Sequence, residues 1–415
     1  MCCHEEMRIL HINFSDHEGG AARSCMRLHY ALLRNGIDSS VFVCNRKTNT
    51  PNVFSYETIF DKFYSKIAPH VANIFRFNFK TQNQALHSLG IMPSRLLKKI
   101  NKSDYDIIHI HWIGSEMLSI RDVSKIKKKI VWTFHDMWAF CGAEHITSDD
   151  RWVDGYNSSN RDSSEIGFDL NKFIWSLKKK YWLAPFNIIT PSSWMEKNVK
   201  KSNLFSKWPR VKKIYNVFDP SVWKPFDYDA ARALLGFNHN KQYILIASMG
   251  ISKDFNKGFD LLIESLGKIS VINSKKIELV TLGHVEQETR EKCPIKINSL
   301  DRFFDDVSMK ALFSAVDVLV LPSRIENLPN VLIEAGFCGL PSVAFKIGGL
   351  QDIVNHLENG YLAESYNTQD FANGIDWCLS EKISRNFMYK NFQKRFEIAH
   401  TVNEHIDFYK NVLSD

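Results

Sequence analysis

Short apolar runs alternate with amphipathic stretches along the chain. Met7–Asn13 (Met-Arg-Ile-Leu-His-Ile-Asn) reads as a buried strand. A turn with Asp16, Gly19 and Gly20 follows, then a run in which Cys25, Leu28, Leu32 and Leu33 recur at helical spacing until Gly36. Val41–Cys44 reads as the next strand. Strand, glycine turn, helix, strand is the opening of a doubly wound parallel sheet. Further strand-like runs lie at 106–112, 129–134 and 187–192, and Lys213–Pro220 passes from strand into turn. A second series has strands at Tyr243–Met249, Ile277–Leu282, Val318–Pro322 and Pro341–Phe345, with helices at 258–268, 307–316 and 328–338. The pattern predicts an α/β chain of two Rossmann-like, doubly wound domains, 1–190 and 191–385, and a terminal helical segment at 386–415. Ligands of such sheets bind outside the carboxyl ends of the strands, so a central cleft between the facing domains is the expected site. The stretch 145–170, rich in Ser, Asn, Asp and Gly, reads as a long surface loop.

Composition narrows the class. With 44% hydrophobic and 24% charged residues over 415 positions, the chain is neither disordered, collagen-like nor a coiled coil. No run approaches the roughly 20 apolar residues of a membrane-spanning helix. The first six residues hold two acids and no apolar core, so no secretory signal is expected and the cytoplasm is the default compartment. Eight cysteines without a CxxC pair exclude a disulfide scaffold or zinc ribbon. The net charge of +7 is uneven: residues 1–190 carry 25 Lys/Arg against 19 Asp/Glu, and the remainder 28 against 27. Between 59 and 104 stand eight basic side chains, two acids, and Phe60, Phe63, Tyr64, Phe75, Phe77 and Phe79. That mixture points to an anionic surface (phospholipid, polyphosphate or nucleic acid), against the plainer reading of a solvated lysine face.

Four constellations could carry chemistry. In Ser323–Gly336, Glu326 falls at a strand-to-helix turn and Glu334 about two helical turns later. Backbone N–H groups at such a turn suit phosphate, and a carboxylate beside them suits sugar hydroxyls, which donate to it. The plainer alternative is a capped helix with two surface acids. In Lys253–Asp260, Lys253 and Lys257 stand at a helix start behind a strand, placed for a diphosphate; a solvated turn lysine is the alternative, more so for Lys253. His135-Asp136 ends a strand, but His109, His111 and His145 compete and spacing alone does not choose among them. Gly19-Gly20-Ala21-Ala22 lets backbone approach a ligand, yet lacks the G-x-G-x-x-G of dinucleotide sites. Cys2, Cys3 and His4 could be imagined as metal ligands or acylation sites; a frayed terminus is the stronger reading.

In this order, the pieces resemble the retaining glycosyltransferases of family 4, which have the two-Rossmann-domain GT-B fold. The likeness runs from 7 to about 385 and rests on Glu326 and Glu334-Ala335 with Cys338-Gly339-Leu340-Pro341, on Ala315–Ser323, on Asn216 with Asp219, and on Lys257-Gly258, Gly348-Gly349 and Asn359-Gly360. Thr133–Phe140 is similar to the branch acting in bacterial surface-polysaccharide synthesis, of colanic-acid and O-antigen type. The resemblance implies that Glu334 holds the ribose, Glu326 faces the donor sugar or its leaving phosphate, and Asn327, Leu328 and Asn330 help bind the donor. It implies that Lys257 neutralises the diphosphate, His135 sits over the transferring sugar, and Gly19, Gly20 and Ala21, with Asp136, border the acceptor. It also implies a last helix crossing back onto the first domain. Three positions depart from the family pattern. Ser252, next to Lys253, stands where the family has Arg; Asp352 replaces a glutamate; and Cys141 is alone where the branch often has a cysteine cluster.

The implied reaction is sugar transfer from a nucleoside-diphosphate sugar with retention, through an oxocarbenium-like transition state. Its charge would be met by Lys257 and helix N-termini, with no required metal and no cofactor. The expected acceptor is a lipid-diphosphate-linked saccharide. The expected location is the inner face of the cytoplasmic membrane, with 59–104 and Phe173, Trp175 and Lys178–Trp182 touching anionic headgroups and no nucleic acid partner. The rivals are a nucleotide-sugar epimerase, a non-catalytic nucleotide-sugar-binding subunit and a DNA-base glucosyltransferase.

Overall fold

The computed structural model describes residues 7–414, except 77, 248–253, 271–275, 284, 302, 304 and 382. Lys253, Phe77 and the Cys2–His4 group therefore lie outside the described residues. The chain divides into two compact units, Met1–Val217 with Ala399–Asp415, and Phe218–Ile398.

Among the described residues, the first unit holds a seven-stranded sheet of β1 (Arg8–Ser15), β2 (Asp38–Asn45), β3 (Val53–Phe54), β4 (Ile107–Ile110), β5 (Lys129–Thr133), β6 (Asn187–Thr190) and β7 (Val211–Lys213). Its order is β3-β2-β1-β4-β5-β6-β7, every pair parallel. The domain edge expected at 190 lies instead at Val217, because β7 continues the same sheet beside β6. Four helices matter below: α1 (Gly20–Arg34), α2 (Ile59–Ile74), α3 (Leu96–Lys102) and α4 (Leu170–Tyr181).

Alternation along a strand gives the sheet two unlike faces. Leu10, Ile12, Ile108, Ile110, Ile130 and Trp132 enter an aromatic-rich core with Trp138, Trp182 and Phe186. The opposite positions are partly polar: His11 pairs in register with His109, which pairs with Val131. The expected surface loop at 145–170 is partly interior. Arg151, 8% exposed, forms a bidentate pair with Glu165 at 3.1 and 2.7 Å, and Trp152 and Tyr156 join the core.

The second unit holds β8 (Gln242–Ile246), β9 (Ile277–Leu282), β10 (Lys296–Leu300), β11 (Val318–Leu321), β12 (Ser342–Phe345) and β13 (Gly360–Ala363), ordered β10-β9-β8-β11-β12-β13 among the described residues. The interior strands read as continuous apolar runs because both sheet faces are covered. Helix α5 (Asn330–Phe337) follows β11. Helix α6 (Ile398–Leu413) ends the chain, and from Ala399 onward it belongs to the first unit. Its Tyr409 hydroxyl meets His109 Nδ1 at 2.7 Å. Among the described residues, no helix is long and apolar enough to cross a membrane.

Candidate active site

Each sheet reverses its winding once. The second does so between β8 and β11, and the first between β1 and β4. These reversals leave a crevice at the carboxyl ends of the two strands concerned, where such sheets bind ligands.

In the second unit, the turn after β8 carries Lys257 and the turn after β11 carries Glu326. Lys257 Nζ stands 3.3 and 3.1 Å from the two Glu326 carboxylate oxygens. Glu326 raises the lysine pKa, outweighing the effect of burial, so the cation is held charged. The two turns are locked together by Arg324. Its backbone N–H donates to the Asn256 carbonyl at 2.7 Å, and its guanidinium donates to the Phe255 carbonyl and, bidentately, to Asp260 at 2.8 and 2.6 Å. The same group lies 3.8 Å from the centre of the Phe255 ring. The turn after β12 closes on this pair: Gly349 N–H donates to the Glu326 carbonyl at 3.1 Å.

Asn327, Leu328 and Asn330 continue from Glu326 into α5, whose start has no side-chain cap and no acid in its first turn. Glu334, one further turn along, is 2% exposed. Arg324 was not anticipated from the sequence. Its only signal was adjacency to the motif, and a surface arginine gives the same signal.

In the first unit, Gly19 sits at φ +92° and leads into α1, which also begins without a side-chain cap. Gly20 is exposed and Ala21 partly so. The competing histidines differ in exposure. His109, His111 and His145 are 0, 4 and 5% exposed, while His135 keeps partial access. His109 spends its nitrogens on Tyr409 and Thr133, at 2.7 and 2.8 Å. His145 meets Asp136 at 2.6 Å and Ser88 at 2.8 Å.

Asp136 turns into its own loop. Its carboxylate accepts from Trp112 Nε1 and the Trp138 N–H, both at 2.9 Å, as well as meeting His145. The loop is pinned from beneath by Lys178 of α4, fully buried, whose ammonium donates to the carbonyls of Trp138, Cys141 and Gly142. Nitrogens of His11, His109 and His111 lie within 4.8 Å of one another, a spacing that a metal ion could bridge. The bonds above and two more from His111 already commit these atoms, with His11 Nε2 the exception. A metal would have to displace them.

The comparisons with known proteins bear on the family and the fold. The model described as Glycosyltransferase Family 4 matches residues 18–222, and that described as Glycosyl transferases group 1 matches 229–395. An uncharacterized glycosyltransferase of Methanocaldococcus jannaschii is 24% identical over 94% of both chains. An uncharacterized protein of the cps region of Klebsiella pneumoniae is 21% identical over 80% of this chain and 86% of its own. Anabaena HepE, solved in complex with UDP and glucose, superposes with a TM-score of 0.64 at 18% identity, covering 97% of this chain and 99% of that one. Matched by glycosyltransferase models in both halves, and over nearly its whole length by an archaeal relative, the chain is a glycosyltransferase of the GT-B fold.

Proposed function

We propose that the protein transfers a sugar, with retention and without a metal ion, from a nucleoside-diphosphate sugar to a lipid-diphosphate-linked saccharide during surface-polysaccharide synthesis. The observation that carries this reading is the Lys257–Glu326 pair at the switch point of the second sheet. A diphosphate arriving there meets a cation already held in place, so the charge that develops on the leaving group is stabilised without reorganisation. Glu326 offers acceptor oxygens to sugar hydroxyls, and Glu334 to the ribose. His135 is the group proposed to meet the transferring sugar. The UDP and glucose bound by HepE support a nucleotide-sugar donor, and the cps-region relative supports the polysaccharide role.

For the acceptor's lipid, the support is α2. Ile59, Phe60, Phe63, Ile67 and Ile74 are 87, 59, 61, 38 and 69% exposed, beside exposed Lys62 and Lys66. Such a face suits an anionic headgroup layer. The α4 part of the expected membrane contact does not share this character. Trp175, Lys178 and Trp182 are buried, drawn in by the aromatic core and the loop carbonyls, which leaves Phe173, Lys179 and Lys180 outside.

The test is a donor screen by mass spectrometry, with and without a lipid-diphosphate saccharide. Free nucleoside diphosphate and a heavier acceptor are expected. Lys257→Ala should lower kcat/KM by roughly a hundredfold or more, the usual effect of removing one charge-stabilising donor. Isomerised donor without acceptor would replace the reading with epimerisation, and bound but unchanged donor with a binding subunit.

A further inference from the structure

His135 is the outer end of a file of imidazoles. His11 Nδ1 lies 3.0 Å from His111 Nε2, and His111 Nδ1 lies 3.0 Å from His135 Nε2. The rings of His111 and His135 stack with centroids 5.3 Å apart. His11, on β1, is 0% exposed, and His111, just past β4, is 4% exposed.

A neutral imidazole has one donor and one acceptor nitrogen. The two hydrogen bonds must therefore run in the same direction, with the protons on Nδ1 of all three rings or on Nε2 of all three. The free end of the file decides between them. His11 Nε2 is buried without a partner. In one arrangement it would carry a proton with no acceptor; in the other it keeps only a lone pair. The buried N–H without an acceptor is the rarer orphan in proteins. Burial also lowers the pKa of all three rings, which disfavours an imidazolium that would donate at both nitrogens and break the direction.

We propose that His111, backed by His11, is a positioning residue that holds His135 as the neutral tautomer protonated on Nδ1, with its ring orientation fixed. The consequence for the reaction rests on the reading above, in which His135 meets the transferring sugar. With its Nε2 lone pair taken by His111 and its proton on Nδ1, His135 has no lone pair left with which to act as a base.

Long-range 1H–15N correlation spectra of protein labelled with 15N-histidine read each tautomer directly, with His135→Gln assigning the resonances. At neutral pH, His135 should show a pyrrole-like Nδ1 and a pyridine-like Nε2, the reverse of the form that free histidine favours in water. A protonated Nε2 on wild-type His135 overturns the inference, whether or not any variant folds. His111→Phe keeps a ring and removes both nitrogens. It should leave His135 with no partner that fixes its tautomer, so that both neutral forms appear in its spectrum, and lower kcat roughly tenfold at unchanged KM, the rate equivalent of one lost hydrogen bond. His111→Asn, whose amide nitrogen takes the place of Nδ1, should restore both the spectrum and the rate. An unchanged His135 spectrum in His111→Phe also overturns the inference. If the wild-type spectrum is as expected but His135→Gln transfers sugar at full rate, the file stands and the role given to His135 in transfer falls.

Discussion

A methyl group on Gly258 would lie 2.0 Å from the Pro322 carbonyl oxygen, and the residue sits at φ +64°. Only glycine accepts that backbone without strain, and only hydrogen fits the gap. The position is what seats the Lys257 turn against the end of β11. Gly258→Ala is therefore expected to destabilise the second unit by about 1–3 kcal/mol, the range for a strained non-glycine backbone. It should also weaken nucleoside-diphosphate binding by moving Lys257 away from Glu326. Calorimetric melting and titration with the diphosphate check this; a variant matching wild type in both would refute the seating role. At this scale, Lys257, Glu326 and Glu334 could be named as candidates from residue type and spacing, and their roles from the family resemblance. Arg324 and His11 could not, and His111 was visible only as a competitor of His135. A guanidinium clamp between two turns joins positions 255, 260 and 324, and only the fold brings them together. The histidines did leave a trace, since polar residues at 11, 109 and 111 interrupt strands that otherwise read as buried.

Among the elements, the interior strands were legible and most of the edges were not. β3, β10 and β13 were all missed, and each ends a sheet. An edge strand is short or polar because one side needs no apolar neighbour, so Lys296–Leu300 and Gly360–Ala363 carry little signal. Helix α2 shows the opposite limit. Its mixture of basic and aromatic residues was visible in sequence, but which apolar side chains point outward was not. Asp61, Ala68 and Ala72 fill the buried side, so the larger residues are left on the surface. If that face docks on a membrane, Phe63→Ser with Ile67→Ser should weaken binding to vesicles containing anionic lipid. Charge reversal at Lys98, Lys99 and Lys102 of α3 should do so by about 1 kcal/mol or more per residue. Sedimentation with vesicles measures both. Binding equal to wild type in both variants, or no binding by wild type, would remove the membrane from the proposal.

For the whole molecule, the histidines are unevenly divided, and this makes the two units respond differently to acid. His11, His29, His87, His109, His111, His135 and His405 all belong to the first unit, and all have pKa values lowered by burial. His29, His87 and His135 are pushed down to about 4 and His405 to about 3, from an ordinary 6.5. Between those limits, the unfolded chain binds protons that the folded unit refuses. The stability gained by keeping these rings neutral is complete above pH 6.5 and is lost as pH falls toward 4, at about 1.4 kcal/mol per pH unit for each ring. Several rings titrating together make the slope steep. The described histidines of the second unit, His239 and His356, show no such burial. Calorimetry from pH 7.5 to 4.5 should therefore show one transition moving sharply down in temperature while the other moves little. Removing one ring, as in His29→Phe, should flatten the slope of the first transition by about one proton. Two transitions falling in parallel would mean that the cost of acid is not borne by the buried histidines of the first unit.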